Sequence, residues 1–292
     1  MSNPENFISG LWKEGIFSNR VVFCTGESSD ICSSQVRALV YLGANACIIG
    51  RNKEKAERVA ADIATSRRGA KVLGYGNVDV RDLSNLEAAV KKCVAELGGI
   101  DFVIAGAAGI FLAPFLKLSA NAFKTVIDID LMGSWNTIKA TVPYLLEYAR
   151  KHPGSGGRII FLSATLHYTS APLNTNGTVA KAGVDILSAQ VAVELGPYGI
   201  TSNVISPGII EGTEGQKRLF AKGSQRTIEQ IPLGRFGTVF IFSEAGCYMN
   251  GTVQAVDGGA WRIGGNNLSP GWNILPVCFW RISQRGRQNR KT

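Results

Sequence analysis

Only two histidines and six cysteines occur in 292 residues. The cysteines (Cys24, Cys32, Cys47, Cys93, Cys247 and Cys278) are scattered, with no C-x-x-C pair among them. That pattern argues against a metal site and for a reducing compartment. No apolar run approaches the length of a membrane span, and residues 1–13 are too polar for a signal peptide. Neither a membrane nor an export role is therefore expected. Acidic residues are missing from Arg262 onward, where Arg262, Arg281, Arg285, Arg287, Arg290 and Lys291 stand unopposed. These six account for most of the +9 net charge. The basicity thus belongs to a solvated tail, and nucleic-acid binding is not expected.

Internal repeats and linkers are lacking as well, and 45% of the residues are hydrophobic. One large core, hence one α/β domain, is the simplest account. The boundaries read as an N-terminal extension over 1–18, a folded domain over 19–261 and a basic tail over 262–292.

The chain is organised around Val21-Val22-Phe23-Cys24-Thr25-Gly26 and the turn that follows. Five residues of this kind read as a strand buried on both faces. Val36, Leu39 and Val40 then form the apolar stripe of a helix. Further strands are expected at 46–49, 71–75, 101–105, 158–162, 201–205 and 253–256. Helices are expected at 53–64, 83–97, 121–148 (with a kink at Pro143) and 178–195. Strands alternating with helices predict a doubly wound, Rossmann-type, mostly parallel sheet.

In such a sheet ligands bind beyond the carboxyl ends of the strands, with a pyrophosphate at the first helix N-terminus. Thr25, Gly26 and Ile31 lie there. Arg51 follows the second strand, where an arginine suits a 2′-phosphate and hence NADPH, unless it is a plain surface residue. Asp79, before Val80 and Arg81, could accept from an adenine amino group or merely cap a turn. Lys181 lies in a helix of small residues, Thr178-Val179-Ala180-Lys181-Ala182-Gly183. Asp128 and Asp130 alternate with isoleucines, so simple spacing lets only one of them face a cleft.

Thr25-Gly26, Asp79-Val80, Ala107-Ala108-Gly109, Lys181-Ala182-Gly183 and Pro207-Gly208 resemble, in order and spacing, the short-chain dehydrogenase/reductase family. Most members of that family carry Y-x-x-x-K, but here Gly177 stands four residues before Lys181 and Ala164 thirteen before that. Ala122-Phe123-Lys124-Thr125-Val126-Ile127-Asp128-Ile129-Asp130, Ser163-Ala164-Thr165-Leu166 and Gly212-Thr213-Glu214-Gly215 are similar to the peroxisomal 2,4-dienoyl-CoA reductases, the fungal forms above all.

The resemblance implies Asp130 and Lys181 as the catalytic pair. It implies NADPH held by Thr25, Gly26, Ile31, Arg51, Asp79, Val80, Lys181, Pro207 and Gly208. It further implies an unsaturated acyl-CoA held by Arg51, Arg81, Phe111, Ser119, Ala120 and Asn121. Hydride would add to the δ carbon of a dienoyl thioester and a proton to the α carbon, leaving a 3-enoyl-CoA. Tyr168, the nearest tyrosine to the active-site helix, is the reserve proton donor. A homo-oligomer and a peroxisomal, otherwise cytoplasmic, location are implied too.

The chain departs from the pattern in three places. Glu27, Ser29 and Asp30 replace small residues in the glycine-rich turn, putting two carboxylates where a pyrophosphate should lie. The stretch after Val239 is shortened, and the end carries no Ser-Lys-Leu address. Two alternatives therefore stand beside the reductase: a tailoring reductase for a polyene chain in fungal secondary metabolism, and a cofactor-impaired scaffold.

Overall fold

Every residue of β1 (Val21–Thr25) is buried, and alternate side chains serve two different cores. Val21 and Phe23 face one side of the sheet, Val22 and Cys24 the other. An apolar strand without polar alternation is what a sheet covered on both faces requires. The computed structural model describes residues 15–26, 30–152, 156–210, 213, 216 and 253–256.

Within these residues the order is β1, α1 (Asp30–Tyr41), β2 (Asn45–Ile49), α2 (Lys53–Ala64), β3 (Val72–Tyr75), α3 (Leu83–Leu97) and β4 (Phe102–Ala105). Then come α4 (Ala120–Ile127), α5 (Gly133–Lys151), β5 (Arg158–Leu162), α6 (Leu166–Thr169), α7 (Thr175–Leu195), β6 (Thr201–Pro207) and β7 (Val253–Val256). The strands form one parallel sheet ordered β3-β2-β1-β4-β5-β6-β7. The order reverses between β1 and β4, so the crevice for a ligand opens there. The doubly wound reading of the sequence holds.

One face of the sheet packs Val36 and Val40 of α1 and Ile63 of α2. The other packs Leu86 and Val90 of α3, Ile138 and Leu145 of α5, and Val184 and Val191 of α7. Each such side chain contributes about 1.5–3 kcal/mol when fully buried. Part of the expected N-terminal extension packs on the sheet. Phe17 is 2% exposed and meets Phe102 edge to face, its ring centroid 5.4 Å away. Residues 240–252, directly after Val239, and the tail from Arg262 lie outside the described residues.

The long helical stretch breaks where the sequence did not suggest. Pro143 sits inside an unbroken α5, while the break falls at a π turn over Asp128–Met132. A π turn adds one residue to the helical repeat and so resets which side chains face inward. Gly133 follows it because a Cβ there would stand 2.5 Å from Val80 Cγ2.

Candidate active site

The two neighbouring aspartates of the π turn point to opposite sides. Asp128 turns outward and pairs with Lys124 at 2.5 Å, the ordinary arrangement of an exposed helical pair. Asp130 turns inward, 1% exposed. Its Oδ1 accepts a hydrogen bond from the Gly109 amide at 2.6 Å, and its Oδ2 lies 3.2 Å from Lys181 Nζ. Ser134 Oγ donates to the Asp130 carbonyl at 2.6 Å, holding the turn itself.

Lys181, 9% exposed, comes from α7. Its ammonium also donates to the Leu162 carbonyl at the end of β5, 2.9 Å away. Ser163 Oγ in turn donates to the Lys181 carbonyl at 3.3 Å. The pair therefore ties the loop after β4, the π turn, the end of β5 and α7 together at the carboxyl edge of the sheet. A buried ion pair held by further hydrogen bonds satisfies charges that would otherwise be costly there. Nothing in the spacing of the sequence pointed to Gly109 N–H or the Leu162 carbonyl, because backbone groups leave no compositional trace.

Gly26 follows β1 with φ +92°, and a Cβ on it would stand 2.6 Å from the Gly106 carbonyl oxygen. Only glycine fits such a conformation and such a close approach at once. Thr25 precedes this turn as the last residue of β1. Its buried hydroxyl accepts from Gly106 N at 3.2 Å and faces the Ile104 carbonyl at 3.5 Å, so it joins β1 to β4 from within. Ile31 lies in the first turn of α1, after Asp30 at its start. Glu27 and Ser29 lie outside the described residues.

Arg51 is exposed at the end of β2, and its charge helps hold Asp79 below the usual carboxylate range. The larger cause is Arg81, which forks onto Asp79 with Nη2–Oδ2 at 2.6 Å and Nε–Oδ1 at 3.0 Å. Asp79 and Arg81, expected on cofactor and substrate respectively, thus pair with each other. Val80 is buried, and its carbonyl accepts from Asn136 Nδ2 at 2.9 Å. Pro207 ends β6, where its carbonyl accepts from Thr165 N at 3.1 Å, and Gly208 follows.

Of the expected substrate residues, Arg51 and Arg81 lie after β2 and β3, while Phe111 and Ser119, Ala120 and Asn121 lie between β4 and the start of α4. Phe111 is exposed in the loop after β4 beside the exposed Ile110 and Leu112. Ser119, Ala120 and Asn121 open α4, and the Ser119 hydroxyl caps it by accepting from Ala122 N at 3.2 Å. The loop is pinned to the far side of the cleft by a bond from Ala113 N to the Leu173 carbonyl at 2.9 Å.

Tyr168 is not arranged as the reserve proton donor. Its hydroxyl donates to Asp185 Oδ2 at 2.9 Å, and the same oxygen faces His167 Nε2 at 2.8 Å. Burial first, and then the Asp185 carboxylate, push the phenol up to about 12. Gly177, four residues before Lys181, is covered by the Asn174 side chain, whose Oδ1 would stand 2.5 Å from a Cβ at 177.

A nicotinamide dinucleotide fits this edge of the sheet. The Gly26 turn brings the β1 backbone against β4 at the switch point, and the Arg51 cation stands at the end of the adjacent strand. Among the described residues no cluster of three or more His, Cys, Asp or Glu could hold a metal ion. No helix among them is long and apolar enough to cross a membrane.

Residues 26–260 match a family model described as enoyl-(acyl carrier protein) reductase, one of the short-chain dehydrogenase/reductase models. The chain is 47% identical over 274 residues to a peroxisomal 2,4-dienoyl-CoA reductase, (3E)-enoyl-CoA-producing, of Saccharomyces cerevisiae, covering 89% of this chain and 91% of that one. It is 36% identical to the protein of the same description from Danio rerio, covering 90% and 88%. A probable 2,4-dienoyl-CoA reductase of Bacillus subtilis, (2E)-enoyl-CoA-producing, is 33% identical, covering 83% and 96%. Among solved structures, levodione reductase superposes with a TM-score of 0.77 at 26% identity, covering 84% of this chain and 99% of that one. A short-chain dehydrogenase of Bacillus anthracis superposes at 0.75 and 33% identity, covering 84% and 97%.

Proposed function

Since the chain belongs to the short-chain dehydrogenase/reductase family, we propose that it is an NADPH-dependent reductase of conjugated 2,4-dienoyl-CoA thioesters. The observation that carries this reading is the buried Asp130–Lys181 pair at 3.2 Å, beside a helix that offers glycine at the preceding turn. A ketone reductase needs a proton donor on the alcohol oxygen. Reduction of a conjugated thioester needs instead a stabilised enolate oxygen and a proton at carbon.

When bound, NADPH supplies the hydride that adds to the δ carbon. The Gly26 turn and the α1 N-terminus receive its pyrophosphate, and Arg51 receives the 2′-phosphate. Lys181 sets a positive potential on the nicotinamide side of the cleft and holds Asp130 in place. Asp130, fixed by Gly109 N–H and Lys181, orients the water that delivers a proton to the α carbon. The exposed apolar run Ile110–Leu112 receives the acyl chain, while Ser119, Ala120 and Asn121 border it.

Exposed aliphatic residues recur at seven-residue steps along α7: Val179, Ile186 (72% exposed) and Val193 (73% exposed). Two helical turns separate them, so they form one stripe. This stripe supports a homo-oligomer built on α7, and a sedimentation experiment showing only monomer at micromolar concentration would count against it. The likeness to peroxisomal relatives supports a peroxisomal location, to be tested with a fluorescent fusion.

The decisive assay follows NADPH oxidation with 2,4-hexadienoyl-CoA and identifies the product. A 3-enoyl-CoA supports the reading; no turnover with any dienoyl-CoA overturns it. A cofactor-impaired scaffold is the second reading, favoured by the Asp30 carboxylate in the first turn of α1. A fluorescence titration detecting no NADPH binding would establish it over the first.

A further inference from the structure

Resting on the reductase reading, we propose that the Asn174 carboxamide is the neutral hydrogen-bond donor to the thioester oxygen of the substrate. Gly177, Lys181 and Asp185 recur at four-residue steps and share one face of α7. A helical side chain lies over the turn N-terminal to its own Cα, so Lys181 reaches along that face toward Gly177. Gly177 has no side chain of its own to cover the turn. The Asn174 carboxamide covers it instead, with Oδ1 at 2.5 Å, Cγ at 3.1 Å and Nδ2 at 3.3 Å from the place of a Cβ.

The amide is not spent on the usual work of an asparagine in this position. Asn174 is the N-cap of α7, yet its side chain makes no capping bond. Its backbone does the local work, with its N–H facing the Ala171 carbonyl at 3.3 Å and its carbonyl accepting from Thr178 N at 2.9 Å. The residue is buried, and the chain enters it through Leu173 at φ +67°. Leucine is strained in that region of backbone space. The Leu173 carbonyl also accepts from Ala113 N, which brings the apolar loop after β4 against the same turn.

The polar groups that share the Lys181 face are engaged elsewhere. Tyr168 and His167 are held by Asp185, and Lys181 by Asp130 and the Leu162 carbonyl. Asn176 uses its Oδ1 on Gly177 N at 2.9 Å; its buried Nδ2 has no partner among the described residues, but the residue lies off the Lys181 face. Hydride addition at the δ carbon forms a C–H bond there and moves the γδ pair into the βγ position. The αβ pair moves onto the thioester carbonyl, whose oxygen gains the charge. An amide N–H stabilises that oxygen without transferring its proton. A water-borne proton then adds to the α carbon and the enolate returns to the thioester.

The test measures kcat on a dienoyl-CoA, NADPH affinity by fluorescence, saturated acyl-CoA affinity and thermal midpoint for Asn174→Ala, Asn174→Asp, Asn174→Gln and Gly177→Ala. The expected result is a loss in kcat of about a hundredfold for Asn174→Ala and Asn174→Asp. Both binding affinities and the midpoint stay near those of the wild type. Asn174→Gln recovers part of the rate, since it keeps the N–H donor. Gly177→Ala loses rate as well, because its Cβ displaces the amide without removing it. Asn174→Asp with wild-type kcat overturns the proposal alone, as do parallel losses of NADPH affinity and midpoint, which would mark a structural role. A wild type that reduces no dienoyl-CoA overturns the reductase reading, and the proposal with it.

Discussion

Lys181 Nζ and Asp130 Oδ2 lie 3.2 Å apart, while the other oxygen of Asp130 is held by Gly109 N–H. Both oxygens of the carboxylate are therefore committed to donors that come from different parts of the chain. Its position is set by three elements at once, which is how a reacting group is kept in place.

Removing either partner should slow the reaction. Lys181→Ala and Asp130→Ala are each expected to lower turnover of a dienoyl-CoA by at least about tenfold, roughly 1.4 kcal/mol of barrier. Each also leaves a buried charge unpaired, at a cost of about 3–5 kcal/mol in stability. Asp130→Asn, which keeps the shape, separates the two effects: its kcat should fall as far while its thermal midpoint falls less. Full activity in Asp130→Asn would exclude a role for the carboxylate charge.

Cofactor choice should rest on Arg51. A guanidinium pairs with a phosphate through two parallel bonds, and NADH offers no phosphate at that point. Arg51→Ala is expected to weaken NADPH far more than NADH in a fluorescence titration. Equal losses would place Arg51 on the substrate side or on the surface.

The turn after β1 should be weaker than its glycine-rich counterparts. Two unit charges about 4 Å apart repel by about 4 kcal/mol at an effective dielectric near 20. Even a third of that, after screening, corresponds to about tenfold in affinity. The triple change Glu27→Gly, Ser29→Gly, Asp30→Thr is therefore expected to tighten NADPH by at least about tenfold, most visibly at low salt. If binding stays the same, the carboxylates point away from the phosphates.

Acid should loosen the end of β3. The Arg81 guanidinium, with help from Arg51, holds Asp79 below the usual carboxylate range. A carboxyl whose folded value is depressed stabilises the fold above its unfolded value, near 3.9, and that contribution is lost as pH falls through the folded one. Arg81 is more than a third exposed, so solvent screening limits the pair to about 1 kcal/mol or less. Asp79→Asn should lower the denaturant midpoint at pH 7 and leave it unchanged below the folded value. An equal loss at both pH values would show that packing, not charge, is what Asp79 contributes.

Much of this protein is written locally. Buried strands announce themselves as short apolar runs, and β7 falls at 253–256 as its composition indicates. Lys181 stood out because a lysine among small residues is seldom there for solvation. The kink was misplaced because Pro143 is a visible local signal, whereas the π turn at Asp128–Met132 has none. Tyr168 looked available from its distance along the chain to α7, and only the fold shows Asp185 taking its hydroxyl.

The alternation of apolar strands with amphipathic helices determined a doubly wound parallel sheet, because those periods can be buried together in few other ways. Spacing along the chain also narrowed the candidate charges to a few residues. The tertiary structure decided which of Asp128 and Asp130 turns inward, since an added residue in a helical turn changes the phase of everything around it. It also decided that Asp79 meets Arg81, that Thr25 serves β4, and that the Asn174 carboxamide covers Gly177. Contacts of that kind depend on separately folded elements arriving at one sheet edge, and residue order alone carries no record of the distance between them.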